Sequence, residues 1–291
     1  MRALYSRRWL HDRALEMQRL GILPLAQGGE PAQRGRTAPS PRLLVYLLGA
    51  GHVEVNDRVI TSWSGARARS VFNYLVTHRN PWPRREVLMD VFWPRSAPAA
   101  ARNSLNVAMH SIRRTLRTAA DQPIVVVEGG SYRLHADVGL SLDADDFEYH
   151  VQTGHALRGL GDLAGAEVEY ARAAALYQGD FAIDDPYADW VTFDRERLRL
   201  AYLDVLDWLS ELYFDRRHYA SSGTLCQRIL ERDPCWEGAH RRLMRCYVHL
   251  GHYHLAVLQY RRCEKVLRAD VGVDPAPATK ELFQRLRNHA L

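Results

Sequence analysis

Lysine is almost missing from this chain. Of 39 basic residues, only Lys265 and Lys280 are not arginine. No apolar run approaches the ~18–20 residues that span a bilayer, which excludes a membrane-spanning protein. The first residues are polar and arginine-rich and lack the apolar core of a signal peptide, so secretion is not expected. Cysteine is scarce and confined to Cys226, Cys235, Cys246 and Cys263. None stands in a C-x-x-C motif and the gaps are irregular, so neither a zinc site nor a disulfide framework is expected. Reduced, mostly buried thiols in a cytoplasmic protein are the expectation. No nucleophile–base set and no phosphate loop is visible, so the chain reads as a non-enzyme without cofactor.

Charge is present but unevenly spread. The 291 residues carry a net +5, which alone says little. Residues 1–40 hold seven arginines against three acids, residues 41–136 thirteen against six, and residues 137–291 nineteen cations against twenty-five acids. A basic module is joined to an acidic one. That asymmetry fits nucleic-acid binding by the basic part, or two domains that attract each other. Arginine suits phosphates and guanine edges, although a GC-rich genome produces the same bias.

The pattern along the chain predicts three regions. Residues 1–41 read as a helix, with Leu10, Ala14 and Met17 on one side of Arg8–Leu20, and a disordered linker, Gln27–Pro41. Its role stays open between partner docking, self-association and a simple extension. Residues 42–136 read as a small α+β domain. Strands at Leu43–Leu48, Val53–Val55 and Val59–Ile60 turn at Asn56-Asp57. Helices follow at 65–78, 83–92 and 98–119, with Pro98 in a first turn. A hairpin then pairs Ile124–Val127 with Tyr132–Leu134 around Gly129-Gly130. A three-helix core followed by a hairpin is a winged helix-turn-helix, a DNA-binding architecture.

On a 100° wheel, the third helix sorts cleanly. Leu105, Met109, Ile112 and Leu116 fall within roughly 60° of one another and form a core stripe. Arg102, Asn106, His110, Arg113 and Arg117 share the adjoining face, and Asn103 and Arg114 extend it. No acid occurs between Arg102 and Arg117. Solvated helix faces usually interleave acids with bases, so a negative partner is expected. Arginine reads guanine and asparagine reads adenine in the major groove. In the hairpin, Arg133 is placed to reach phosphate or the minor groove, Tyr132 to pack beneath it, and Glu128 to oppose phosphate.

Residues 137–291 read as helix after helix. An offset of 34 pairs Leu209 with Leu243, Tyr213 with Tyr247, His218 with His252 and Tyr219 with Tyr253. GDLAGA at Gly161–Ala166 is similar to GHYHLA at Gly251–Ala256. Three tetratricopeptide-like (TPR-like) pairs are expected at about 143–178, 187–231 and 235–269, capped by a helix from Ala276 to Leu291. Such solenoids bind protein or self-associate. His249, His252 and His254 could suggest a metal, but Gly251 breaks the segment and no acidic supporting partner is evident. Asp143, Asp145, Asp146 and Glu148 sit where acids favour a helix start. No metal is expected at either place.

The run AARNSLNVAMHSIRRTLR (Ala100–Arg117) followed by VVVEGGSYRL resembles the winged-helix output domain of response regulators. It is most similar to the version in the SARP (Streptomyces antibiotic regulatory protein) family. LYQGDF, DWVTFDRERLRLAYLDVL and VLRADVGVDPAPATKELFQRL, with Gly272, Asp274, Pro275 and Pro277, resemble that family's bacterial transcriptional activator domain. The resemblance covers about 42–291 and implies a mainly α protein, a winged helix followed by a TPR-like solenoid. It implies an activator that binds direct repeats near a promoter as a homodimer and recruits RNA polymerase in the cytoplasm, at the nucleoid. The DNA-binding residues implied are Arg102, Asn103, Asn106, His110, Arg113, Arg114 and Arg117, with Ser131 and Arg133 in the wing. The loop implied to touch polymerase is Trp93, Pro94, Arg95, Ser96, Ala97 and Pro98. Ser131 stands where the family usually carries glycine before the tyrosine. Residues 1–40 show no receiver-domain pattern, so regulation by phosphorylation of an aspartate in cis is not expected. The competing reading is a TPR-like adaptor whose winged helix contacts protein.

Overall fold

The computed structural model describes residues 41–185 and 188–288. The helix expected at Arg8–Leu20, and all but the last residue of the linker, lie outside the described residues. From residue 41 the chain builds a four-stranded sheet, three helices, a hairpin and then a run of helices.

Strand β1 (Arg42–Tyr46) pairs antiparallel with β2 (His52–Val55), which pairs with β3 (Arg58–Val59). Asn56 and Asp57 join β2 to β3 with φ of 51° and 64°. Positive φ at both central residues is the primed turn that matches strand twist, and Asn and Asp tolerate it best after glycine. One face of this sheet, Leu43, Val45, Val53 and Val55, is buried.

Helices α1 (Ala66–Thr77), α2 (Arg85–Phe92) and α3 (Pro98–Leu116) follow and share one buried core with it. The expected third helix is three residues too long at its end. Its core stripe is as the wheel places it: Leu105, Met109, Ile112 and Leu116 are all buried. Burying each such side chain stabilises by roughly 1.5–3 kcal/mol. Strands β4 (Val125–Glu128) and β5 (Ser131–Leu134) form the hairpin. Its turn end is tied to the segment just before α2, where Tyr132 N–H donates to the Pro83 carbonyl at 3.0 Å.

One element escapes the sequence reading. Strand β6 (Gly139–Leu142) pairs parallel to β1, Leu43 opposite Leu140 and Val45 opposite Leu142, giving the order β3-β2-β1-β6. Four residues, GLSL, carry too little periodicity to mark a strand.

Helices α4 (Asp143–Gly159) and α5 (Leu163–Leu176) form the first antiparallel pair. Then come α6 (Asp189–Asp215) with α7 (Tyr219–Arg232), and α8 (Glu237–His249) with α9 (Tyr253–Val266). A π-helical turn (Leu267–Val271) leads to α10 (Pro277–Arg287). The 34-residue offset is structural: His218 and His252 are both N-caps, at the starts of α7 and α9. The small residues of the repeat sit at helix crossings. At Gly154 an added Cβ would lie 2.7 Å from the Tyr170 ring, so α4 and α5 approach closely only because that position has no side chain. Glu237 holds the closing segment, accepting from Ala276 N–H at 3.0 Å and from Thr279 Oγ1 at 2.5 Å.

The two halves share one hydrophobic core, from Leu43 and Phe72 through Phe147 to Tyr170 and Leu206. Trp190 of α6 packs edge-on against Tyr74 of α1 and His78 at its C-cap. Arg69 pairs with Asp184 at 3.2 Å. The buried Asp143 carboxylate accepts from the backbone N–H groups of Leu47 and Leu48 at 2.8 Å each. The other members of the acidic cluster are paired as well, Asp145 with Arg79 and Glu148 with Arg197. Asp143 therefore does more than start a helix: it ties α4 to the end of β1.

Candidate nucleic-acid interface

Helix α3 presents the face that its sequence predicts. Arg102, Asn103, Asn106, His110, Arg114 and Arg117 are exposed and Arg113 is half-buried. Proline at the first turn pre-sets the helix and removes an amide that would otherwise be unsatisfied. Buried Ala101, Ala108 and Ser111 let α3 seat against its neighbours, and Ser111 Oγ donates to the Ser64 carbonyl at 3.1 Å.

The cations on this face fall into two groups. Arg113 Nε donates to the Val125 carbonyl at 3.2 Å, which fastens α3 to the hairpin. Arg114 Nη2 donates to Ser64 Oγ at 2.6 Å, just ahead of α1. Both are partly committed to the protein. Arg102, Asn103, Asn106, His110 and Arg117 have no hydrogen-bond or ion-pair partner among the described residues. Their side chains are available to an external ligand. Asn106, His110, Arg113, Arg114 and Arg117 line an open groove whose floor is Met109 and the buried Tyr132 of β5. Its walls are cationic and amide-bearing, and its floor is apolar.

The hairpin divides the remaining candidates. Tyr132 faces α3, as expected. Arg133, its neighbour, points to the other side of the strand, where it lines a separate shallow depression with Arg79 and Trp82. There it pairs with Glu128 at 2.8 Å. Ser131 is half-buried, and its backbone bridges to Arg84. The structure therefore groups Asn106, His110, Arg113, Arg114 and Arg117, and leaves Arg102, Asn103, Ser131 and Arg133 outside that groove. The segment between α2 and α3 is compact. Trp93 is half-buried against Phe92, its N–H capping α2 on the Met89 carbonyl, while Pro94, Arg95, Ser96, Ala97 and Pro98 are exposed.

One residue of this face is absent from the sequence reading. Val107 lies among the polar side chains of α3 and is 70% exposed. The available signal was an aliphatic residue on the wrong side of the wheel.

Elsewhere, the titratable residues have structural surroundings. His249 stacks on Tyr219, while His252 caps α9. His150 and Glu169 form a buried pair at 2.6 Å. The Cys226 and Cys263 thiols are pushed up to about 11 and about 12 by burial, which makes them unreactive. No group of three or more potential metal ligands occurs among the described residues, and no described helix is long and apolar enough to cross a membrane.

A winged helix with a cationic recognition face, fused to a helical-repeat domain, defines a two-domain transcriptional regulator. Comparison with known proteins agrees. Residues 142–287, half of the chain, match the bacterial transcriptional activator domain, and residues 64–134 match the C-terminal domain of transcriptional regulatory proteins. The chain belongs to the SARP-type regulators, which join these two domains. They are transcriptional regulators rather than enzymes. Regulatory protein AfsR of Streptomyces coelicolor is 25% identical over 201 residues, 68% of this chain but 20% of AfsR. Transcriptional regulatory protein MoaR1 of Mycobacterium tuberculosis is 24% identical, over 76% of this chain and 71% of MoaR1. The structure of Mycobacterium tuberculosis EmbR in complex with a low-affinity phosphopeptide superposes with a TM-score of 0.69 at 19% identity. That match covers 86% of this chain and 66% of EmbR, and it shows a shared fold.

Proposed function

We propose that the chain is a sequence-specific activator that binds repeated promoter sequences as a homodimer and recruits RNA polymerase. α3 enters the major groove, with Arg102, Asn103, Asn106 and His110 at base edges. Arg113, Arg114 and Arg117 face the phosphates, and Ser131 and Arg133 serve the wing. The loop Trp93, Pro94, Arg95, Ser96, Ala97 and Pro98, exposed from Pro94 onward, is the polymerase contact. The helical domain, residues 137–291, is the protein-contact module, and the site of action is the cytoplasmic nucleoid.

One observation carries this reading: five polar or cationic side chains on a single acid-free helix face lack any partner among the described residues. Leaving like charges stacked at i,i+4 is unfavourable in isolation, and a polyanion in the groove reverses the sign. Phosphate contacts then supply most of the affinity and base contacts the specificity.

The test is a salt titration of binding to the chain's own upstream region, with footprinting. Log affinity should fall linearly with log salt, by roughly 0.9 per phosphate neutralised. A slope near zero overturns the electrostatic account. Absence of binding to any promoter fragment, together with tight capture of a protein partner, would favour the adaptor reading. Recruitment is tested by transcription with purified polymerase, where altering Arg95 and Ser96 should abolish activation while leaving DNA affinity intact.

A further inference from the structure

We infer that Val107 is a specificity-determining residue that packs against the C5-methyl group of a thymine in the bound site. This rests on the DNA-binding reading of α3 and sharpens it.

Val107 is the most exposed of the large aliphatic residues on the winged helix: at 70% it exceeds Val59, Val87 and Val127. Nothing in the fold explains its presence. Its side chain is not in the core, and valine is a poorer helix former than alanine, glutamate or arginine at a solvent position. Its helical neighbours one turn away are Asn103 and His110, with Asn106 adjacent in sequence. These exposed polar side chains have no partner among the described residues. The exposed face is therefore polar donors and acceptors surrounding one aliphatic knob.

The major groove has the complementary composition. Base edges present donors and acceptors throughout, and the one apolar group they carry in unmodified DNA is the thymine methyl. A helix lying in the groove with Asn103, Asn106 and His110 at base edges brings Val107 to the same depth. Two branched methyls then cover the thymine methyl and remove both from water. Burying about one methylene equivalent is worth ~0.8 kcal/mol, which at 1.4 kcal/mol per decade is about fourfold in affinity.

The experiment uses the full chain and a duplex that it selects from a random pool. Each thymine in the footprint is replaced in turn by deoxyuridine, which removes only the methyl. Wild type should lose about fourfold at one thymine, or at one per repeat. Val107→Ala should bind the unmodified duplex about fourfold more weakly and be indifferent to deoxyuridine there. Val107→Thr keeps one branched methyl and should retain part of the discrimination. Val59→Ala, on the sheet, should behave as wild type. Circular dichroism melting checks that the variants stay folded, as the exposed position predicts. If deoxyuridine has no effect on wild type, or the same effect in wild type and Val107→Ala, the inference is overturned while the DNA-binding reading stands. If the chain selects no duplex, both fall.

Discussion

Trp190, near the start of α6, stands edge-on to Tyr74 of α1, their ring centroids 5.4 Å apart and their planes at 82°. The two residues belong to different modules, so the helical domain is braced directly against the first helix of the winged helix. The indole also donates to Ser70 Oγ at 3.4 Å. Trp190→Ala should destabilise the chain by ~2–4 kcal/mol, the range for a large aromatic that is only partly buried. Urea denaturation reads this. Two separate transitions in place of one would show that the brace is what couples the modules. An unchanged midpoint would show that the contact contributes nothing.

Asn106 and Arg117 should behave differently as single variants. Asn106→Ala should relax discrimination at one base position by ~1–3 kcal/mol. Arg117→Ala should weaken binding on all sequences alike and lower the salt slope by about 1. Competition binding with single-base variants, at several salt concentrations, separates the two patterns. The reverse assignment would mean that α3 sits in the groove at another angle.

Arg113 has a structural duty that its neighbours lack, because its Nε holds the Val125 carbonyl. Arg113→Gln should raise amide exchange in the hairpin, residues 125–134, without DNA present. Arg102→Gln should leave that exchange untouched. Equal exchange in both variants would remove Arg113's role in positioning the wing.

Asp143 should make stability fall with rising pH in the acid range. Burial pushes its carboxyl up to about 6 in the folded chain, against ~3.9 for an unfolded aspartate. The folded state therefore binds more protons between those values, and stability is lost as pH rises from about 4 to about 6. At ~1.4 kcal/mol per unit this amounts to about 3 kcal/mol. Asp143→Asn does not titrate, so its urea midpoints should be flatter across that window. An identical pH profile for both proteins would contradict the assignment.

Gly154→Ala tests the crossing of α4 and α5. The new methyl meets Tyr170 at 2.7 Å, and that ring is itself packed against Trp208 with centroids 4.8 Å apart. Overpacking of this kind costs ~1–3 kcal/mol, read as a fall in melting temperature of several degrees.

Much of this architecture was legible because local signals and tertiary packing agree. The stripe Leu105, Met109, Ile112 and Leu116 predicts a buried face, and all four are buried. The offset linking Leu209 to Leu243 finds two equivalent core positions. The same wheel predicts the free face of α3. What stayed hidden depends on contacts remote in sequence. Strand β6 exists because β1 offers it an edge, and four residues cannot announce that. The pairing of Arg133 with Glu128, which turns the arginine away from α3, follows from strand alternation plus a neighbour's charge. The acidity assigned to residues 137–291 is also less uniform than their total implies. Residues 237–291 carry ten cations against five acids, so the excess of acid lies in the first two helix pairs.

Strand β6 also bears on how the molecule divides. Its last residue, Leu142, opens the activator-domain match, yet its hydrogen bonds are to the first strand of the winged helix. A fragment ending at Ala136 would keep every residue of α3 and the hairpin. It would also leave one side of β1 without a neighbour, and the amides of Leu47 and Leu48 without their carboxylate. An open, half-apolar strand margin recruits other chains. The smallest piece that reads DNA faithfully should therefore extend at least through Asp143, and the shorter one should clump before it binds.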